Sequence, residues 1–326
     1  MTLLLRTERS PVPFTVIGGF LGAGKTTLLN HMLRDNFGQR IAVLVNDFGA
    51  INIDAALIEW TESNTIALSN GCICCGLSNG LIDALPPLLE RSPPFDHIVV
   101  EASGVADPAK VAHYGTLPGL RVDSVIVLAD AETIRANAAD QRIGRQIVLQ
   151  LKAADLLVLS KGDLVGPAAV AETRRWLTET VGPVPIVEAV EGRMANEILL
   201  GQIGQIGQIR QIGRVGRRED DDAAASSPVQ YESRSYQAVE LLQGAALRGF
   251  LDSLSTNVLR VKGVLRLRES PDDQTTVHRV GSRQRLTTRR RPRDPSEPPG
   301  RLVLVALTDA LDGVDQRAAR IGLHRC

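Results

Sequence analysis

The chain has 326 residues, of which 44% are hydrophobic and 23% are charged, and its 37 Lys and Arg residues balance 37 Asp and Glu residues. At about 150 residues per domain, this length predicts roughly two domains. The apolar content excludes a disordered chain, and the zero net charge removes any global electrostatic case for nucleic-acid binding.

Residues 12–190 alternate short apolar runs with longer amphipathic stretches. Continuous apolar strands between helices are typical of a doubly wound, mostly parallel α/β sheet, and we predict this fold for a first domain over residues 1–200. The predicted strands are 14–18, 41–45, 65–68, 97–101, 122–128, 155–159 and 185–187. The predicted helices are 25–34, 77–91, 131–151 and 167–180.

The pattern breaks at residues 201–228, where Gly-Gln-Ile occurs three times and an acidic run follows. A three-residue period fits neither a helix nor a strand, so we predict a flexible linker. For residues 229–326 we predict a smaller α+β domain. Its predicted strands are 231–241, 258–267 and 302–307, and its predicted helix is 245–254.

Seven arginines and no acids lie between Arg279 and Arg293. A basic stretch of this size could contact RNA, but almost no aromatic residue accompanies it to stack on bases. We therefore predict a solvated loop here and no nucleic-acid partner.

The strongest motif is a full match to GxxxxGK[ST] between a predicted strand and a predicted helix. Its glycines allow backbone N–H groups to surround phosphate oxygens, and the helix N-terminus adds positive partial charge. We expect Lys25 to reach the β and γ phosphates and the Thr26 hydroxyl to ligate Mg²⁺. The predicted nucleotide-binding residues of this loop are Gly19, Gly22, Ala23, Gly24, Lys25, Thr26 and Thr27.

Two acidic residues follow predicted strands near this loop. Glu101 occupies the place where a Walker-B carboxylate would hold Mg²⁺ or its water, and Asp47 lies where a switch loop meets the metal and the γ-phosphate. We therefore predict Lys25, Asp47 and Glu101 as catalytic residues.

Ser160, Lys161 and Asp163 follow another apolar strand and resemble the [NT]KxD motif of GTPases. Asp163 could accept hydrogen bonds from N1–H and N2–H₂ of guanine, a donor pair that adenine lacks, so we predict GTP rather than ATP. Serine is shorter than asparagine, and we expect the contact that braces this loop against the phosphate loop to be weakened.

Three of the four cysteines, Cys72, Cys74 and Cys75, lie within four residues before a predicted helix. Neighbouring cysteines cannot staple distant segments, whereas three soft thiolates suit Zn²⁺. Inert buried cysteines and a redox pair remain alternatives. The run 2–5 is too short for a signal sequence and no stretch of 18 apolar residues exists, so we expect a cytoplasmic protein with no membrane partner.

These motifs, in this order, resemble the CobW-like family of P-loop GTPases, which are related to the urease and hydrogenase maturation GTPases. The resemblance rests on the phosphate loop, on the segments 46–49, 71–75, 101–108 and 160–163, and more weakly on 257–263 in the second domain.

The resemblance implies a GTP-hydrolysing metallochaperone in which Cys72, Cys74 and Cys75 hold zinc and release it to a client metalloprotein. The chain departs from the family pattern at Asp47, where Glu is usual, at Ser160, where Asn is usual, and in lacking a His-rich stretch. Residues 46–54 and the cysteine segment each follow a strand, so both could face the γ-phosphate end of one sheet.

Three other functions remain open on the sequence alone. The cargo could be cobalt or nickel for a cofactor or hydratase pathway, the protein could be a P-loop kinase of a small metabolite, or it could be an RNA-binding module. The expected partners are GTP or GDP and a client metalloprotein, with a second copy of the chain in a homodimer as an open alternative.

Overall fold

The computed structural model describes residues 10–34, 39–45, 65–69, 79–194, 196–200, 231–290 and 298–326. The chain divides into two compact units. The first comprises Met1–Gly182 with Val187–Met194, and the second comprises Pro183–Ile186 with Ala195–Cys326. The predicted linker at 201–228 lies outside the described residues.

Within the described residues, the first sheet has seven strands in the order β3-β2-β4-β1-β5-β6-β7. The pairings that join β3 through β6 are all parallel. This confirms the predicted doubly wound α/β fold. The strands are β1 (Val12–Gly19), β2 (Ile41–Val45), β3 (Thr65–Ser69), β4 (His97–Glu101), β5 (Leu120–Asp130), β6 (Leu156–Ser160) and β7 (Ile186–Ala189).

Strands β2, β4 and β6 are buried at every position, as expected for strands in a parallel sheet that has helices over both faces. The helices along this part of the chain are α1 (Lys25–Arg34), α2 (Asn79–Leu89), α3 (Pro108–His113), α4 (Ile134–Ala139), α5 (Gly144–Lys152) and α6 (Gly166–Val181), followed by α7 (Asn196–Leu200).

The single helix predicted over 131–151 is wrong, because α4 and α5 are separate helices. The carboxylate of Asp140 accepts hydrogen bonds from the backbone N–H groups of Arg142 at 2.7 Å and Ile143 at 3.3 Å. An Asp side chain bonded to its own following backbone competes with helical hydrogen bonding, so the first helix ends there.

Strand β1 lies between β4 and β5, and its register fixes which residues meet at the carboxyl edge of the sheet. Ile17 pairs with Glu101 on one side, and Gly19 pairs with Leu128 on the other. Ligands of open α/β sheets bind outside the carboxyl ends of the strands, so this edge positions the candidate site.

Within the described residues, the second unit is built on a six-stranded sheet in the order β11-β10-β9-β12-β8-β13, and its neighbouring strands are antiparallel. Its strands are β8 (Tyr231–Ala238), β9 (Val258–Leu267), β10 (Ser270–Val280), β11 (Arg283–Arg290), β12 (Gly300–Leu307) and β13 (Leu323–Arg325), and its helices besides α7 are α8 (Gly244–Asp252) and α9 (Val314–Arg320).

The predicted solvated loop between residues 279 and 293 is wrong as far as residue 290, because β10 and β11 form an antiparallel hairpin there. Arg279 is buried and donates to the carbonyls of Val258 at 2.9 Å and Leu254 at 3.0 Å. Burial lowers the pKa of this guanidinium, and the carboxylate of Asp252 opposes that shift. The arginines obscured the strand pattern in the sequence because Arg279, a charged residue, points inward.

Two buried cations of β9 hold the C-terminal end of α7. Arg260 Nη1 donates to the carbonyl of Ile198 at 2.7 Å and to that of Leu199 at 3.1 Å. Lys262 Nζ donates to the carbonyl of Leu200 at 2.8 Å. The last carbonyls of a helix lack intrahelical donors and carry partial negative charge, which explains why Arg260 and Lys262 are buried in this strand.

The close packing around Gly263 in β9 allows a test of this sheet. An added Cβ would lie 2.5 Å from Leu302 Cδ1 and 2.8 Å from the carbonyl oxygen of Arg301, so Gly263→Ala forces β12 to shift. We expect the variant to lower the free energy of unfolding by about 1–3 kcal/mol, measured by urea denaturation.

The control is Gly249→Ala in α8, where an added Cβ meets nothing within 4 Å. Alanine is favoured over glycine in a helix, so this variant should raise the free energy of unfolding by about 0.5–1 kcal/mol. Equal stabilities of Gly263→Ala and the parent would contradict the close approach of β9 to β12.

Candidate functional site

The phosphate loop connects β1 to α1 at the carboxyl edge of the sheet. Gly19, Gly22 and Gly24 have φ values of +134°, +76° and +92°. An added Cβ at Gly19 would also lie 2.6 Å from the carbonyl oxygen of Leu128. The loop therefore requires glycine at these positions, and Ala23 closes it by donating its N–H to the carbonyl of Phe20 at 3.2 Å.

Lys25 holds its ammonium group inside this loop. Its Nζ donates to the carbonyl of Gly19 at 3.0 Å and to that of Phe20 at 3.3 Å, and the side chain is only 7% exposed. The first turn of α1 contains no acidic residue, so the helix N-terminus and Lys25 both present positive charge at the loop. This arrangement favours a bound phosphate.

Thr26 and Glu101 come together from different elements. The Thr26 hydroxyl donates to Glu101 Oε1 at 3.3 Å, and Glu101 is 2% exposed at the end of β4. A hydroxyl and a carboxylate oxygen are ligands that Mg²⁺ accepts, so the donor set fits this ion. Thr27 follows on the same turn and is exposed.

Ser160 braces the loop after β6 against the phosphate loop. Its Oγ donates to the carbonyl of Ala23 at 2.8 Å and lies 3.4 Å from that of Ala129, and the residue is 5% exposed. The contact expected between the two loops is present. The shorter side chain reaches the loop directly because the ends of β1, β5 and β6 lie side by side.

Lys161 has a left-handed backbone, with φ of +58°, which is costly for a residue with a side chain. Its Nζ forms an ion pair with Asp130 Oδ2 at 2.7 Å, and Asp130 is 7% exposed at the end of β5. Asp163 follows in an exposed 3₁₀ turn, Gly162–Leu164.

Sequence reasoning missed Asp130. The signal that would have found it is the one used for Glu101, an acidic residue at the end of an apolar strand. The structure therefore adds Asp130 to the groups that shape the loop after β6.

Asp47, Cys72, Cys74 and Cys75 lie outside the described residues. In the parts of the chain that are described, no group of three or more His, Cys, Asp or Glu side chains could hold a metal ion.

The strands that precede these residues are described. Val45 pairs with Glu101 on β4 and with Ser69 on β3. The chain thus leaves β2 and β3 at the edge where Glu101 lies.

His113 is exposed on the last turn of α3, and Cys326 is an exposed free thiol at the end of the chain. Among the described helices, none is long and apolar enough to cross a bilayer.

A glycine-rich loop with an inward lysine, between a strand and a helix and beside a buried carboxylate, defines a P-loop nucleotide-binding protein. Residues 13–188 match the family model described as CobW/HypB/UreG, nucleotide-binding domain, and residues 231–326 match the cobalamin synthesis protein cobW C-terminal domain. The chain belongs to the CobW/HypB/UreG family, as its motifs predicted.

Three curated relatives illustrate the family. The chain is 33% identical over 226 residues to the zinc chaperone CobW of Sinorhizobium sp., covering 60% of this chain and 64% of that protein. It is 38% identical over 186 residues to the zinc chaperone YjiA of Escherichia coli, covering 54% and 57%. It is 34% identical over 203 residues to the zinc-regulated GTPase metalloprotein activator 1 of Schizosaccharomyces pombe, covering 58% and 49%. The chain therefore spans between 49% and 64% of the length of these relatives.

Ser160→Ala tests the brace between the two loops. Removal of this buried donor leaves a carbonyl unpaired, at a cost of about 1–3 kcal/mol of free energy. We therefore expect nucleotide affinity to fall about tenfold, measured by titration with a fluorescent GDP analogue. The control is Ser124→Ala, which removes a buried hydroxyl from the middle of β5, 3.4 Å from Thr15 Oγ1. If Ser160→Ala binds GDP as tightly as the control, the brace does not support the site.

Proposed function

We propose that this protein is a GTP-hydrolysing metallochaperone that binds Zn²⁺ at Cys72, Cys74 and Cys75 and transfers it to a client metalloprotein in a nucleotide-dependent way. Three curated relatives that are named zinc chaperones or a zinc-regulated GTPase support this proposal. The observation that carries it is the hydrogen bond from Ser160 to Ala23. It joins the loop after β6, which resembles the [NT]KxD motif of GTPases, to the phosphate loop.

The base-binding role belongs to the loop after β6. Its left-handed Lys161 is anchored by Asp130, and the exposed Asp163 offers a carboxylate that can accept from both N–H donors of guanine. A site built for a donor pair discriminates strongly against a base without it, which supports GTP over ATP. It also argues against a metabolite kinase that uses ATP.

The phosphate-binding role belongs to Lys25 and the first turn of α1. We assign Lys25 to the β and γ phosphates, because its ammonium group already lies inside the loop. Thr26 and Glu101 would hold Mg²⁺, directly or through water. A bound Mg²⁺ supplies positive charge that offsets the charge on the phosphates. Asp47 is proposed to act from the segment after β2.

Zinc is the cargo in this proposal. Thiolates at the start of a helix or near a cation have a lowered pKa, and three soft ligands favour Zn²⁺ over hard cations. The register of β2, β3 and β4 supports coupling. Val45 of β2 pairs with Glu101 on one side and with Ser69 of β3 on the other, so the segments that carry Asp47 and the cysteines both begin at the carboxyl edge that holds Glu101. Release of the segment that carries Asp47 after hydrolysis would change the solvent access of the zinc or its ligands.

The partners proposed are GTP or GDP and a client metalloprotein, with a second copy of the chain as an open alternative, and we propose a cytoplasmic location. Nucleic acid is not among the partners. The cobalt or nickel alternative is decided by the metal content of the purified protein together with its bound nucleotide.

A pair of variants separates the two sites. Lys25→Ala should abolish GTP turnover, whereas Cys74→Ala should abolish Zn²⁺ binding and leave GTP binding unchanged. Phosphate release and competition with a zinc-chelating dye measure these effects. Cys326→Ala is the matched control for loss of a thiol, because Cys326 is exposed at the end of the second unit. Parental zinc affinity in Cys74→Ala would remove the cluster as the metal site.

Nucleotide coupling has a separate test. Coupling energies of about 1–3 kcal/mol are typical, so we expect the GDP-bound form to hold Zn²⁺ between about 5- and 150-fold more weakly than the form bound to a non-hydrolysable GTP analogue. Dye competition at fixed pH measures both affinities. Equal affinities in the two forms would exclude release by hydrolysis, because a ligand that does not discriminate two states cannot shift them.

A further inference from the structure

The segment that follows Glu101 is packed against the phosphate loop. Ala102 donates its N–H to the carbonyl of Ile17 on β1 at 2.8 Å. At Gly104 an added Cβ would lie 2.8 Å from the backbone nitrogen of Leu21 and 2.5 Å from Leu21 Cδ2. The backbone at residues 102–104 therefore lies directly beside the loop that would hold the phosphates.

Two glutamines of α5 hold the same segment. Gln150 Nε2 donates to the carbonyls of Gly104 at 3.0 Å and Ala106 at 2.8 Å. Gln146 Nε2 donates to the carbonyl between them, that of Val105. Residues four apart share one face of a helix, so the two amides bind three consecutive carbonyls.

Gln150 is 2% exposed. Its amide nitrogen uses both of its N–H donors on this single segment. A neutral amide suits this place, because a carboxylate would repel the carbonyl oxygens and a lysine would bring a buried charge.

Ser103 lies in the held segment and is 4% exposed. Its Oγ has no hydrogen-bond partner in the part of the chain that the structure describes. Buried polar groups are normally paired, and an unpaired one is costly. The segment thus fixes a buried hydroxyl two residues from Glu101, whose carboxylate accepts from Thr26.

We propose that Gln150, supported by Gln146, is a positioning residue for GTP hydrolysis, an inference that rests on the proposed function. By fixing the carbonyls of residues 104–106, it holds Glu101 and Ser103 at a set distance from Thr26 and the phosphate loop. The Ser103 hydroxyl would then be available to bond to an oxygen of a bound nucleotide–magnesium complex. A glutamine within a helix matches no motif, so the sequence did not indicate this role.

Gln150→Met tests the inference, because methionine keeps the length of the side chain and removes both donors. Small misplacements of catalytic groups are costly, so we expect kcat for GTP to fall between about 10- and 100-fold. The Mg²⁺ concentration for half-maximal hydrolysis should rise, while affinity for a fluorescent GDP analogue without Mg²⁺ stays near the parental value. Amide exchange at Ala106, which donates to the carbonyl of Ser103 at 2.9 Å, should become faster.

The matched control is Gln141→Met, an exposed residue just before α5, which should behave as the parent. Ser103→Ala should also raise the Mg²⁺ requirement without changing the exchange rate at Ala106. If Gln150→Met only lowers the melting temperature and keeps the parental kcat and Mg²⁺ requirement, the inference is wrong and the proposed function stands.

The two proposals fail in different ways. If the parent binds GTP without hydrolysing it, the proposed function fails, and amide exchange then tests the contact alone. Parental exchange at Ala106 in Gln150→Met would overturn the inference whether or not the parent hydrolyses GTP.

Discussion

The pairing of β1 with β4 on one side and β5 on the other is the constraint on which the site depends. All three strands run parallel, so their carboxyl ends reach the same edge of the sheet. Glu101 and Asp130 end the two flanking strands, while Gly19 ends β1 and starts the phosphate loop. A change in the order of these strands would separate the carboxylates from the loop even if every strand were kept.

Side-chain contacts to backbone carbonyls then give this edge its detailed shape. Ser160 donates to Ala23, Lys25 donates to Gly19 and Phe20, and Gln150 donates to the segment after Glu101. Each donor satisfies a carbonyl of an irregular loop that the helices and strands leave without a regular partner. The nucleotide-facing loops are therefore fixed by groups from three different parts of the chain, and this is the preorganisation that phosphate chemistry requires.

In the second unit, buried cationic side chains have a structural role: they donate hydrogen bonds to backbone carbonyls. Arg260 and Lys262 hold the end of α7, and Arg279 holds carbonyls at residues 254 and 258. A basic segment read along the sequence suggests a charged loop or a surface for RNA. Of that segment, Arg279 instead donates to backbone carbonyls, as Arg260 and Lys262 of β9 donate to the carbonyls at the end of α7, where partial negative charge lies.

The sequence by itself determined the fold class, the family and the loop that begins at Gly19, because strand and helix periods and the GxxxxGK[ST] spacing are local properties of neighbouring residues. It also identified Glu101 and Ser160 as candidates by their place after apolar strands. Asp47 and the three cysteines stay predictions. Only the tertiary structure revealed Asp130, Gln150 and the β10–β11 hairpin, and only it showed that Ser160 reaches Ala23 of the phosphate loop. Ser160 and Ala23 are 137 residues apart, and Gln150 and Gly104 are 46 apart. Contacts over such separations follow from strand order and helix placement, and no local pattern encodes them.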